Sequence, residues 1–291
     1  MAKGGRKKVK PTSDRPPVSK EPAKKKAPRK SPEPTAPEAP TPPRSSEDSS
    51  YSLPHDGELH RAGNRISDMT IVFIHHYGGS KRTLLRHVRL VNTLGYDAVV
   101  FSMWMPPKGP FRLPLTNEKK FGVRHVWAEQ IGRVLDAVPG RKVVFSLSMP
   151  TNSAVEAIAK RRAEDVDALI CDGGPFLQLI TCTSNLYKEV YGITSPILRA
   201  MVGTFALGVY GPGLERELPN TFARLPENFP VLSIRGEDDP LVPVEAIDEF
   251  FSHQAHLVIA RLQIAGGGHL DGIKKSPDRY LSAVRDFLAS L

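Results

Sequence analysis

Lys142-Val143-Val144-Phe145-Ser146-Leu147-Ser148-Met149-Pro150-Thr151-Asn152-Ser153-Ala154-Val155 is the stretch whose reading decides the fold. Its first half is a β-branched and aromatic run, the composition of a buried strand. The chain then turns at small residues, and Ala154-Val155-Glu156-Ala157-Ile158-Ala159 joins good helix formers to apolar spacing. A serine between the end of a buried strand and the start of a helix is lifted off the sheet edge. Its hydroxyl is exposed there, and a backbone N–H at the helix start faces any charge that develops on a bound carbonyl. Ser148 is therefore the candidate nucleophile.

Working outward, the same alternation repeats. Met69–Ile74 reads as a continuous apolar strand, followed by His75-His76-Tyr77-Gly78-Gly79-Ser80 and a helix whose apolar face is Leu84, Leu85, Val88, Val91 and Leu94. Asp97–Met103 is the next strand. A Pro-rich loop at 106–114 leads to a helix expected from about Glu118 to Val138. Beyond the Ser148 unit, Val166–Cys171, Pro230–Gly236 and His256–Leu262 read as strands, and Val244–Phe251 and Pro277–Leu291 as helices. A weak strand is expected around Gly57–His60. Such alternation predicts an α/β fold, a mostly parallel sheet with helices on both faces, whose ligands sit beyond the carboxyl ends of the strands. Residues 175–229 interrupt it with the apolar helical piece Ser195–Leu207, and that segment is expected as a short helical lid or as core packing.

The first 50 residues differ in kind. They hold 13 Lys+Arg against 6 Asp+Glu, 11 of the chain's 27 prolines, and no Phe, Trp or Tyr. Such a segment buries too little apolar surface to offset its ordering entropy, and 1–50 is expected to be a disordered basic tail ahead of one domain at 51–291. Its charge suits contact with a polyanion, either nucleic acid or an anionic membrane, but a plain solvated tether is the reading favoured for such a charge run, and the lack of aromatics speaks against stacking on single strands. No 18-residue apolar run predicts a transmembrane helix, and no apolar stretch follows the first basic residues as in a secretory signal. Two cysteines are too few for a disulfide framework, which points to a reducing, cytoplasmic setting.

A serine hydroxyl needs a base, and the base works best when a carboxylate orients it. Gly236-Glu237-Asp238-Asp239-Pro240 puts acids directly after one strand, and Ala265-Gly266-Gly267-Gly268-His269 puts a histidine after the next. In this order and at these places the chain from about 69 to 291 resembles the α/β-hydrolase superfamily, of the serine esterase, lipase and thioesterase kind. The resemblance implies Ser148 as nucleophile, His269 as general base and acid, and Asp239 as orienting carboxylate, with Asp238 the alternative acid. It implies an oxyanion hole from the backbone N–H groups of Tyr77 and Met149. His76, Trp104, Met105 and Phe205, with Phe111, are expected to line the pocket of a small-molecule acyl ester or thioester. No cofactor or metal is expected. Peptidase and acyltransferase chemistry use the same three residues.

Two departures stand out. Both glycines of the superfamily's Gly-x-Ser-x-Gly motif are replaced, giving Ser146-Leu147-Ser148-Met149-Pro150, and His76 replaces the glycine of the oxyanion loop, adding a bulky side chain near the mouth. Proline is tolerated in a helix's first turn, yet it pushes the preceding Met149 away from the α region, where its N–H must be aimed. A catalytically impaired protein of the same fold, binding a ligand or partner, is the alternative that this substitution raises.

Overall fold

The computed structural model describes residues 52–105, 113–161 and 165–291. The tail expectation for 1–50, and Phe111 with most of the Pro-rich loop, lie outside these residues. Seven strands form one sheet: β1 (Glu58–His60), β2 (Thr70–Ile74), β3 (Asp97–Val100), β4 (Lys142–Leu147), β5 (Val166–Asp172), β6 (Pro230–Gly236) and β7 (Val258–Ile264), in the order β1-β3-β2-β4-β5-β6-β7. Only the β1–β3 pair is antiparallel. The expected mostly parallel sheet is the observed one.

The central strands are mostly apolar because both faces are covered. All five residues of β2 are buried. Val72 and Ile74 belong to one core, with Trp127, Ile131, Val155, Phe222 and Phe250. Ile71 and Phe73 belong to a second core on the other face, with Val88, Phe145, Tyr280 and Val284. Phe73 and Phe145 stack at 5.0 Å between ring centroids, and truncating either to Ala is expected to cost about 3–5 kcal/mol.

The helices are α1 (Leu85–Thr93), α2 (Val123–Ala137), α3 (Thr151–Lys160), α4 (Leu179–Glu189), α5 (Pro196–Tyr210), α6 (Leu214–Phe222), α7 (Val244–Ser252), the short α8 (Gly272–Lys275) and α9 (Pro277–Ala289). The second helix starts at Val123, five residues later than the sequence suggests. Gly122 before it has φ 131°, and a Cβ there would fall 2.8 Å from the Cα of Gly211, so the close approach of two backbones sets this boundary. The 175–229 interruption folds as α4, α5 and α6 between β5 and β6, three helices where the sequence pointed to one. No single helix among the described residues is long and apolar enough to cross a membrane.

Candidate active site

The turn after β4 brings Ser148 off the sheet as expected. Its φ is 60°, a left-handed value that a non-glycine residue adopts only under constraint. The constraint is visible: the Ser148 N–H donates to the carbonyl of Asp172 at the end of β5, at 2.7 Å. Gly174 closes the other side. A Cβ there would lie 2.7 Å from the Ser148 carbonyl oxygen.

Pro150 fits this elbow. It has φ −58° and ψ −12° and stands at the head of α3, where its missing N–H leaves no helical bond unmade. The N–H of Thr151 reaches the Ser148 carbonyl and that of Asn152 the Met149 carbonyl, both at 3.1 Å, so the tight turn survives the proline. Ser146, in place of the other glycine, is fully buried, and its hydroxyl has no partner among the described residues.

His269 Nε2 lies 2.9 Å from Ser148 Oγ, and its Nδ1 lies 2.6 Å from Asp239 Oδ2. A carboxylate only accepts, so Nδ1 carries the hydrogen toward Asp239 and Nε2 faces the serine as an acceptor. The Asp239 side chain is 2% exposed. Its Oδ1 accepts the N–H groups of Leu241 (2.8 Å) and Val242 (3.0 Å), which fixes its orientation. Asp238 is exposed and only its backbone is engaged, its N–H donating to the Gly267 carbonyl at 2.9 Å. The alternative acid is thereby corrected: the imidazole pairs with Asp239, whose carboxylate the turn's N–H groups hold, and not with Asp238. Gly236 lets the two loops meet, since a Cβ there would fall 2.3 Å from the Gly267 carbonyl oxygen.

The loop after β2 supplies the opposite wall. The Gly79 N–H bonds the His76 carbonyl at 2.9 Å, and the turn's third residue, Gly78, takes φ 74°, which glycine allows. Among the described residues, neither Tyr77 N–H nor Met149 N–H is bonded to an acceptor. His75 braces this loop from below: its Nε2 accepts the Met103 N–H at 3.1 Å, so its Nδ1 donates to the His76 carbonyl at 2.9 Å. Burial holds the His75 pKa below its ordinary value, in keeping with this neutral tautomer. The pKa of His76 is lowered too, first by burial and then by electrostatic interaction with His75 and His269.

The other expected pocket residues divide. Trp104 and Met105 are half-buried and pack on the first core, and the Trp104 carbonyl accepts the Trp127 indole N–H at 2.5 Å. Phe205 is 69% exposed on the outside of α5. Its place in a substrate pocket is corrected, because α5 faces the core through Gly203, Leu207, Val209 and Tyr210, and Phe205 lies on the opposite, solvent-facing side with Ile197 and Met201.

Two residues assigned no role from the sequence support the site. Tyr210 donates its hydroxyl to the Met149 carbonyl at 3.0 Å, and burial raises its pKa. Asp172 is 3% exposed and accepts the Tyr280 hydroxyl at 2.8 Å. Burial pushes its pKa up to about 6, with Asp239 and Asp271 acting in the same direction and Tyr280 and His269 against it. The position of Asp172 at a strand's carboxyl end was a usable signal. Tyr210 stands 61 residues from its partner, and no local pattern announces it.

No protein-family model and no curated protein matches this chain. Solved structures do. An esterase of Pyrococcus furiosus superposes with a TM-score of 0.58 at 18% identity, covering 80% of this chain and 84% of its own. A bromoperoxidase of Bacillus anthracis gives 0.54 at 16% identity over 80% and 94%. A monoacylglycerol lipase of Paleococcus ferrophilus gives 0.53 at 14% over 80% and 99%. This chain has the α/β-hydrolase fold. Within that fold, the carboxyl edge of the sheet carries Ser148, Asp239 and His269 on three separate strand ends.

Proposed function

We propose that the chain is a serine hydrolase that cleaves carboxylic esters or thioesters through an acyl-enzyme on Ser148. The observation that carries this reading is the unbroken line from Ser148 Oγ through His269 to Asp239, at 2.9 and 2.6 Å. In this reading 51–291 is one catalytic domain and the insertion at 175–229 is its lid.

The chemistry follows from the geometry. Ser148 Oγ attacks the carbonyl carbon while its proton passes to His269 Nε2. The imidazolium is stabilised by Asp239, whose carboxylate is held in orientation by the Leu241 and Val242 N–H bonds. The oxyanion takes the free N–H groups of Met149 and Tyr77, and each such donor is worth roughly 10²–10³ in turnover. Collapse of the tetrahedral adduct expels the alcohol or thiol, which takes the proton from Nε2. Water then attacks the acyl-serine by the same route, giving the carboxylic acid and regenerating Ser148. The accommodated Pro150 and the open Met149 N–H both weigh against a protein impaired at its elbow.

The test is hydrolysis of p-nitrophenyl esters of increasing acyl length by wild type and Ser148→Ala. Turnover by wild type, falling by about 10³ or more in the variant, supports the reading. Equal rates for both proteins contradict it.

A further inference from the structure

Among the described residues, the large apolar side chains that remain exposed are not scattered. Apart from Ile66 and Val258, they belong to Tyr77, to the turn holding Leu113, Leu115 and Phe121, or to the α4–α5 part of the insertion. On α5 they form a stripe: Ile197 (73% exposed), Met201 (66%) and Phe205 (69%) recur at every fourth residue and so share one helix face. Ile180 on α4 and Val190 and Tyr191 after it add to the apolar surface. Arg199 is the sole charged residue in the fifteen of α5. An apolar surface of this extent on a charged chain marks a binding face.

Residues 1–50 are poorly suited to cover it. Residues 1–50 hold no Leu, Ile, Phe, Trp or Tyr, so they have nothing apolar enough to lie on the stripe. They do carry a net +7 of the chain's +9. The first described residues sit at the same edge of the sheet as the insertion: the His55 carbonyl accepts the Ser102 N–H at 3.2 Å, just past the carboxyl end of β3, and α4 follows the carboxyl end of β5. A second copy of the chain would bring +9 against +9. A surface that is apolar inside and negatively charged outside complements both features at once.

We propose that this edge docks on an anionic phospholipid bilayer. Ile197, Met201, Phe205 and Tyr191 enter the boundary between headgroups and acyl chains, and the net charge of +7 carried by the sequence of 1–50 favours an anionic bilayer over a neutral one. Neither contribution is sufficient alone, because stable anchoring of a peripheral protein takes an apolar insertion together with a basic patch. The inference deepens the hydrolase reading, since it presents Ser148 to esters held in a membrane.

The experiment is co-sedimentation of the full chain with vesicles of phosphatidylcholine containing about 30% phosphatidylserine, and with phosphatidylcholine alone, at about 0.1 and 0.5 M salt. Binding to the mixed vesicles is expected to be at least about tenfold tighter than to the neutral ones, and to fall by a similar factor at high salt. The double variant Ile197→Glu/Met201→Glu changes two exposed positions and is expected to melt as wild type does while losing binding about tenfold or more. Equal binding of variant and wild type overturns the proposal, as does a salt-insensitive or absent association. So does a concentration-dependent dimer that the variant abolishes while wild type ignores vesicles. Ser148→Ala is expected to bind as wild type does, so vesicle binding and covalent labelling of Ser148 fail independently.

Discussion

His87 gives a prediction whose size follows from its surroundings. The ring sits 5.5 Å from Phe145, 5.9 Å from Tyr280 and 6.3 Å from Phe73, and neither nitrogen has a partner among the described residues. Burial, then Arg86 and His76, pulls its pKa from 6.5 down to about 4. Between those values the unfolded chain takes up a proton that the folded ring refuses, so this histidine lowers stability as the pH falls through that window. Linkage puts the loss between pH 7 and pH 5 at about 2 kcal/mol. Asp172 works the other way. Its folded pKa of about 6 lies above the ordinary 3.8, so acidification over the same interval relieves a buried charge. That gain is about 1 kcal/mol. His87→Leu should therefore remove the larger loss, and its stability relative to wild type should rise by about 2 kcal/mol on going from pH 7 to pH 5. Urea titration followed by tryptophan fluorescence at both pH values measures this. The lowered pKa values of His55, His75 and His76 are common to both proteins and cancel in the difference. Parallel pH dependence of variant and wild type would refute the reasoning.

Three further outcomes are expected. Asp239→Asn replaces the acceptor that sets the imidazole tautomer and should lower kcat about 10⁴-fold with KM little changed, read by steady-state ester hydrolysis. Tyr210→Phe leaves the Met149 carbonyl without its hydroxyl donor and should cost about 1–2 kcal/mol by urea titration, together with a drop in kcat/KM. Gly236→Ala places a methyl 2.3 Å from the Gly267 carbonyl and 2.6 Å from that of Gly268, so it should destabilise by about 1–3 kcal/mol and slow labelling of Ser148.

The parts of this account that were legible in the sequence are those written in local pattern. Buried parallel strands are continuous apolar runs, and Ser148, Asp239 and His269 each follow one within a few residues. The fold and the three side chains could be read together for that reason. The choice of Asp239 over Asp238 rests in the sequence on the resemblance alone, because neighbouring acids look alike there; in the fold it is Asp239 that the Leu241 and Val242 N–H groups hold against the imidazole. The start of α2 was misplaced because Gly122 meets Gly211, nearly ninety residues on. The apolar helix around Phe205 suggests a pocket-lining place for it. Apolarity alone does not say which way a helix face turns, and this one turns out.

Covalent labelling by a fluorophosphonate, located by mass spectrometry on wild type, Ser148→Ala and His269→Ala, tests the central claim most directly. The account predicts a single adduct on Ser148 of the wild-type protein and none on either variant. A folded wild-type protein that takes up no label, or one labelled equally after loss of His269, would contradict it.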